Sequence, residues 1–206
     1  MLHKCSACSG IERSYQMREP TERDVNKKYV LLKCFKCLTK IGVEQITTRN
    51  FSDETGMATS SLYYWFKDKD ELIVDATEFG LHYIVEKLFR YALDNIDNVE
   101  YLCNEFYKIA DEYKMELRLI LQIVNSPKYG ERIREHSGSL SRIYDEYTDE
   151  LAEAINVNCS DVRGTVDLFI STITYYVMWE DKPKLLHEID KIKELLICNR
   201  NGLLKK

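Results

Sequence analysis

Apolar residues recur at steps of three and four along nearly the whole chain, and the three prolines fall only where that rhythm breaks. A proline inside a helix removes a backbone hydrogen bond and costs about 3 kcal/mol. Pro20, Pro127 and Pro183 therefore mark borders between helices rather than faults within them. No stretch shows the two-residue alternation of a half-buried strand. The expected fold class is all-α. With 206 residues, 45% apolar and 31% charged, the chain can bury a proper core and is too apolar to stay disordered. No apolar run approaches the roughly 20 residues of a membrane-spanning helix. The first 20 residues carry no apolar h-region, so a cytoplasmic location is expected.

The first long pattern runs from Asp24, a candidate N-cap, through Val30, Cys34, Cys37, Leu38 and Ile41 to Gly42. Asp68 reads as the cap of a long helix reaching about Leu93, with Asp70 and Glu71 favouring its positive end. Further helices are expected over 98–113, 115–125 and 128–155. Two more end the chain, one carrying Val162, Val166, Phe169, Ile173 and Val177, the other Leu185, Ile189, Ile192 and Leu196. Each has a single greasy face.

The informative segment is 46–72. Thr47 or Thr48 can cap a short helix in which Phe51 and Thr55 face inward, and Gly56 permits a turn at positive φ. Met57 packs under that turn, and Thr59 or Ser60 can cap a second short helix holding Leu62 and Phe66. Helix, glycine turn and helix make a helix-turn-helix. The second helix exposes Ser61, Tyr63, Tyr64 and Trp65, hydroxyls and hydrogen-bonding aromatics that suit base edges and phosphates. Charge is distributed to match. Residues 1–69 hold 12 Lys+Arg against 8 Asp+Glu, whereas the rest hold 17 against 26.

The string ITTRNFSDETGMATSSLYYWFKDKDEL closely resembles the DNA-binding signature of the TetR family of one-component bacterial repressors. That signature is a Thr-capped helix, an Ala/Gly turn, then Ser/Thr-x-Leu-Tyr-x-aromatic-Phe-x-x-Lys-x-x-Leu. The resemblance covers about residues 24–76, and Ser52, Thr55 and Trp65 depart from it. It implies an N-terminal three-helix DNA-binding domain over 24–68, preceded by an arm (1–23) open to disorder, and a helical effector-binding and dimerisation domain over 69–206. It also implies that Thr47, Thr48, Arg49, Thr59, Ser60, Ser61, Tyr63, Tyr64, Trp65 and Lys69 meet operator DNA, Arg49 by a base contact and Lys69 by a phosphate. Met17 is an alternative start.

The implied function is a dimeric transcriptional regulator, a repressor released from double-stranded operator DNA by a small hydrophobic or aromatic ligand. The two C-terminal stripes are the expected homodimer face, packed as a four-helix bundle across a two-fold axis. The body between them is rich in aromatics, and Tyr83, Phe106, Tyr107, Tyr113, Tyr144 and Tyr175 are candidate ligand contacts, the tyrosine phenols studding an apolar cavity. An adaptor that has lost DNA binding is an alternative, because residues 24–72 are nearly charge-balanced.

Seven cysteines, an odd number in a chain too large to need staples, fit reduced thiols. Cys5-x-x-Cys8 and Cys34-x-x-Cys37 have zinc-ligand spacing, so a metal or thiol sensor is a second alternative. Against it, Cys34 and Cys37 fall inside a helix, where free Cys behaves as a small apolar residue. Neither a metal nor any other cofactor is expected. Catalysis is not expected either. Di-iron helical sites need Glu three residues before His, and that offset from His82, His136 and His187 holds Phe79, Ile133 and Lys184.

Overall fold

The structure, a computed structural model, describes residues 22–137 and 144–200. Among the described residues every regular element is a helix: α1 (Glu22–Ile41), α2 (Thr48–Thr55), α3 (Thr59–Trp65), α4 (Lys69–Asn95), α5 (Val99–Glu112), α6 (Lys114–Val124), α7 (Gly130–Ser137), α8 (Asp145–Ile155), α9 (Cys159–Trp179) and α10 (Lys182–Arg200). None of them is long and apolar enough to cross a membrane.

Side-chain caps explain several starts. Asp68 accepts the Glu71 N–H at 2.8 Å, and Asn98 accepts the Tyr101 N–H at 3.0 Å. The sequence expectation differs in two places. Asp24 lies within α1 rather than capping it, so residues 22 and 23 belong to that helix and not to the arm. The stretch expected as one helix over 128–155 is not continuous among the described residues: α7 starts at Gly130, and α8 starts afresh after Tyr144.

α1 packs along α4, and α2 and α3 close the far side of α1. Phe35, Leu38, Phe51, Leu62, Phe66 and Ile73 fill the space between them and are almost wholly buried. The α1–α4 crossing is close because residue 80 is glycine: a methyl group there would lie 2.4 Å from the Phe35 ring. Beyond it, α4 packs against α5, α6, α7 and α8, while α9 packs against α6, α8 and α10. α6 is shared, touching α1, α4, α7 and α9.

The two C-terminal stripes point inward. Val177 is 0% and Leu185 1% exposed, and Val162, Ile173, Ile189 and Ile192 are buried with them. These residues close the core of one chain, so they are not available as a face between two. The outward side of the same helices carries Leu168, Met178, Trp179, Leu186, Leu195 and Ile197.

Candidate nucleic-acid interface

The head is built from two short helices whose ends are tied by side chains. Thr47 is the N-cap of α2: its hydroxyl accepts the Asn50 N–H at 3.3 Å, and Asn50 Oδ1 accepts the Thr47 N–H at 2.9 Å. The Thr47 hydroxyl also donates to Asn50 Oδ1 at 2.6 Å. Both donors of Thr47 are thereby engaged within the helix start, which takes it out of the set expected to give a proton to phosphate.

Gly56 ends α2 at φ 72°, where a side chain would be strained, and its N–H donates to the Ser52 carbonyl at 2.9 Å. Two residues that depart from the resembled signature find their use here. The Ser52 hydroxyl donates to the Met57 carbonyl at 2.5 Å. The Thr55 hydroxyl donates to the Phe51 carbonyl at 2.7 Å and accepts the Met57 N–H at 3.3 Å. They satisfy turn groups that would otherwise need water.

α3 begins after Ala58, which offers no capping side chain, so neither Thr59 nor Ser60 is the cap. Both are instead exposed first-turn residues, together with Ser61. Leu62 and Phe66 anchor the helix from below. Tyr64 is 72% and Tyr63 45% exposed, and the Tyr63 hydroxyl shares a 3.0 Å hydrogen bond with the Thr48 hydroxyl on α2. That bond fixes the two short helices to each other at the surface. Arg49 is almost fully exposed, its guanidinium 4.0 Å from Asp53. Trp65 departs from the expectation: it is half-buried and packs against the core. Lys69 is half-buried too, and donates to the Ile46 carbonyl at 3.1 Å, tying the start of α4 to the loop before α2.

One further link joins this head to the body. The Asp70 carboxylate accepts from Lys128 Nζ at 2.8 Å and from the Tyr129 hydroxyl at 2.9 Å, both on the connection between α6 and α7. The Lys128 hydrogen bond is the main reason the Asp70 carboxyl is held below its ordinary range; burial opposes it, and the Tyr129 hydrogen bond adds a smaller pull downward. No pattern in the sequence announces this pair, because the residues lie 58 and 59 positions from Asp70.

The body holds a chamber of about 270 Å³, walled by α4 to α10 and by Tyr144. Of the six aromatic residues expected to line it, Phe106 and Tyr144 do. Tyr83, Tyr107, Tyr113 and Tyr175 do not, because packing turns their rings elsewhere. Tyr83 lies beside Phe79, Tyr107 lies under Lys182, and Tyr175 lies between Trp179 and Lys184. Tyr113 joins α5 to α6. The walls are aliphatic instead, and the Tyr144 hydroxyl donates to Asp167 at 2.8 Å.

Cys34 and Cys37 are buried in α1, and burial pushes the Cys34 thiol up to about 12. The Cys37 thiol donates to the Asn50 carbonyl at 3.6 Å. Cys5 and Cys8 lie outside the described residues, so the four-cysteine site cannot be assembled from this structure. Among the described residues no cluster of three or more His, Cys, Asp or Glu could hold a metal ion.

No family profile and no curated protein matches the chain. Solved structures do. The fatty acid degradation regulator FadR from Bacillus halodurans is 18% identical, with a TM-score of 0.52 over 83% of this chain and 97% of that one. A TetR transcription regulator from Haloarcula marismortui is 15% identical, with a TM-score of 0.53 over 86% and 98%. A transcriptional regulator from Rhodococcus sp. RHA1 is 14% identical, with a TM-score of 0.53 over 84% and 95%. Near-complete coverage of chains that share so little sequence leaves one conclusion at the level of architecture: this protein has the all-helical fold of the TetR-type transcription regulators.

Proposed function

We propose that the protein is a dimeric, sequence-specific DNA-binding transcriptional regulator, a repressor released from its operator by a small hydrophobic ligand held in the body. The observation that carries this reading is the surface of α2 and α3. Arg49, Ser61, Tyr63 and Tyr64 point outward together while Leu62 and Phe66 point inward. A helix that serves only to fill a corner of a core has no reason to expose two tyrosines on a locked pair of helices.

The reading helix carries no charge of its own, so it approaches the groove through hydroxyls and rings, with Arg49 as the base-reading cation. A bidentate Arg–guanine contact contributes about 1–3 kcal/mol of discrimination. Thr48, Thr59, Ser60 and Tyr63 supply hydroxyls to the backbone, and Lys69 keeps ammonium protons beyond the one given to Ile46. A head this small binds weakly alone, and two copies about 34–36 Å apart, or a near multiple, read a dyad. Ligand in the chamber shifts α4, and with it the spacing of the heads. Such coupling is typically about 1–3 kcal/mol, a roughly 5–150-fold loss of DNA affinity.

A gel-shift series on DNA from upstream of the protein's own gene, run across a range of salt concentrations, tests this. The wild type is expected to bind a dyad-symmetric site with steep salt dependence. Arg49→Ala and Tyr63→Ala, both at exposed positions, are expected to weaken binding at least tenfold with the fold intact by circular dichroism. Unchanged binding in both variants would refute the reading in favour of an adaptor.

A further inference from the structure

We infer that the chamber takes one straight-chain carboxylate of at least about ten carbons, its chain buried and its carboxylate held by Arg134. As the identity of the regulatory ligand this rests on the proposed function above; as a binding site it does not.

Three observations carry it. The first is the scarcity of polar groups in the wall, which among the described residues are carried by Cys103, Arg134, Tyr144, Thr165 and Thr174. The Thr165 hydroxyl, which reaches the chamber, donates to the Asp161 carbonyl at 3.0 Å, and the Tyr144 phenol is engaged with Asp167. The Cys103 thiol, pushed up to about 11 by burial, stays neutral. A ligand with polar groups along its buried length would give up water there for almost no partners. Sugars, nucleotides and polyphenols fit badly, and an unbroken hydrocarbon fits well.

The second is the exception at one end. Among the described residues, Arg134 is the only charged one in the wall. It belongs at the same time to a polar groove lined by Asn125, Ser126, Pro127, Glu131 and Glu135. Its guanidinium donates to the Val124 carbonyl at 2.8 Å, which holds it at the boundary between chamber and groove. A guanidinium has five N–H donors in a fork that matches a carboxylate. The two glutamates beside it set the charge of the head group: one negative charge finds its partner in Arg134, whereas a phosphate-bearing head meets the carboxylates as well.

The third is size. A volume of about 270 Å³, at the roughly 30 Å³ that one water molecule occupies, takes at least nine or so heavy atoms, which sets a lower bound of about ten carbons on the chain.

Isothermal titration calorimetry on the delipidated full chain tests the assignment with hexanoate, decanoate, 1-decanol and decanoyl-coenzyme A. Decanoate is expected to bind with one site per chain and at least tenfold more tightly than hexanoate or the coenzyme A ester. Arg134→Gln is expected to weaken decanoate at least tenfold and 1-decanol less than twofold, whereas Arg134→Lys, which keeps the charge, stays within about threefold of wild type. Val166→Trp, which fills the chamber, is expected to abolish binding of both decyl ligands with the helical content unchanged. Absence of saturable decanoate binding, an equal effect of Arg134→Gln on acid and alcohol, or a preference for the coenzyme A ester would each overturn the inference. Gel shifts on the same preparations separate the two proposals. DNA binding without decanoate uptake sinks this one alone, and decanoate uptake without DNA binding sinks the proposed function alone.

Discussion

At the scale of single residues, Asp70 shows how one carboxylate in the first turn of a helix joins two parts of the molecule. It sits where a negative charge favours the N-terminus of α4, and it receives Lys128 and Tyr129 from the α6–α7 connection. Its folded pKa is depressed, so its contribution is fully present above the unfolded value of about 3.9 and fades only as pH falls through the lower folded value. A carboxyl-carbon NMR titration is expected to place the Asp70 midpoint below that of an ordinary aspartate, and Lys128→Ala to move it back up. The opposite order would mean that the link is absent in solution. The cysteines give a second residue-scale expectation. Thiolate is the reactive species, and Cys34, Cys37 and Cys103 are buried with their thiols pushed up. Peptide mapping after alkylation of the native protein at pH 8 is expected to find all three unlabelled, and labelled only after unfolding. The CxxC spacing of Cys34 and Cys37 was legible in the sequence, and so was the reason to distrust it, since both fall on the inward face of α1.

At the scale of elements, the caps made the boundaries readable. Thr47, Gly56, Asp68 and Asn98 each stand where the sequence placed a start or a turn. The start of α3 was not readable, because Ala58 caps it with backbone alone and the neighbouring Thr59 and Ser60 look like better caps. The fresh start of α8 after Tyr144 was hidden for a similar reason: no proline interrupts 128–155. What no local pattern could show is how closely helices cross. Gly80 reads as a mild flaw in α4 until Phe35 is seen against it. Gly80→Ala is therefore expected to destabilise the protein by about 1–3 kcal/mol through overpacking. Gly164, in exposed α9 with nothing near its missing side chain, is the matched control. Gly164→Ala is expected to stabilise by up to about 1 kcal/mol through helix propensity. Urea unfolding of the two variants checks both signs.

At the scale of the whole molecule, what remains is which surface meets a second copy. The apolar stripes of the last two helices were legible, but not the side on which they lie, because α9 carries apolar residues on opposite faces. Val162, Ile173 and Val177 go to the core, while Leu168, Tyr175 and Trp179 recur on the other side with Thr172 between them. Periodicity counts both sets equally; only the position of the chamber and of α6 decides. Trp179 is 68% exposed, and Leu168, Leu186, Leu195 and Ile197 extend the same kind of surface along α9 and α10. Exposed apolar side chains of this size suit a contact surface. For the dimer that the proposed function requires, we propose the outer faces of the helices expected, in place of the stripes expected. Substituting an exposed residue leaves the core alone, so Leu168→Glu and Trp179→Glu are expected to keep wild-type helical content. Each buries an unpaired charge in an interface, and sedimentation equilibrium is expected to show monomers at concentrations where the wild type is a dimer. Their gel shifts are expected to weaken far more on a full dyad than on an isolated half-site, since only the dyad reports the second head. Dimers that persist in both variants would place the two-fold axis on another face and remove the basis for the head spacing given above.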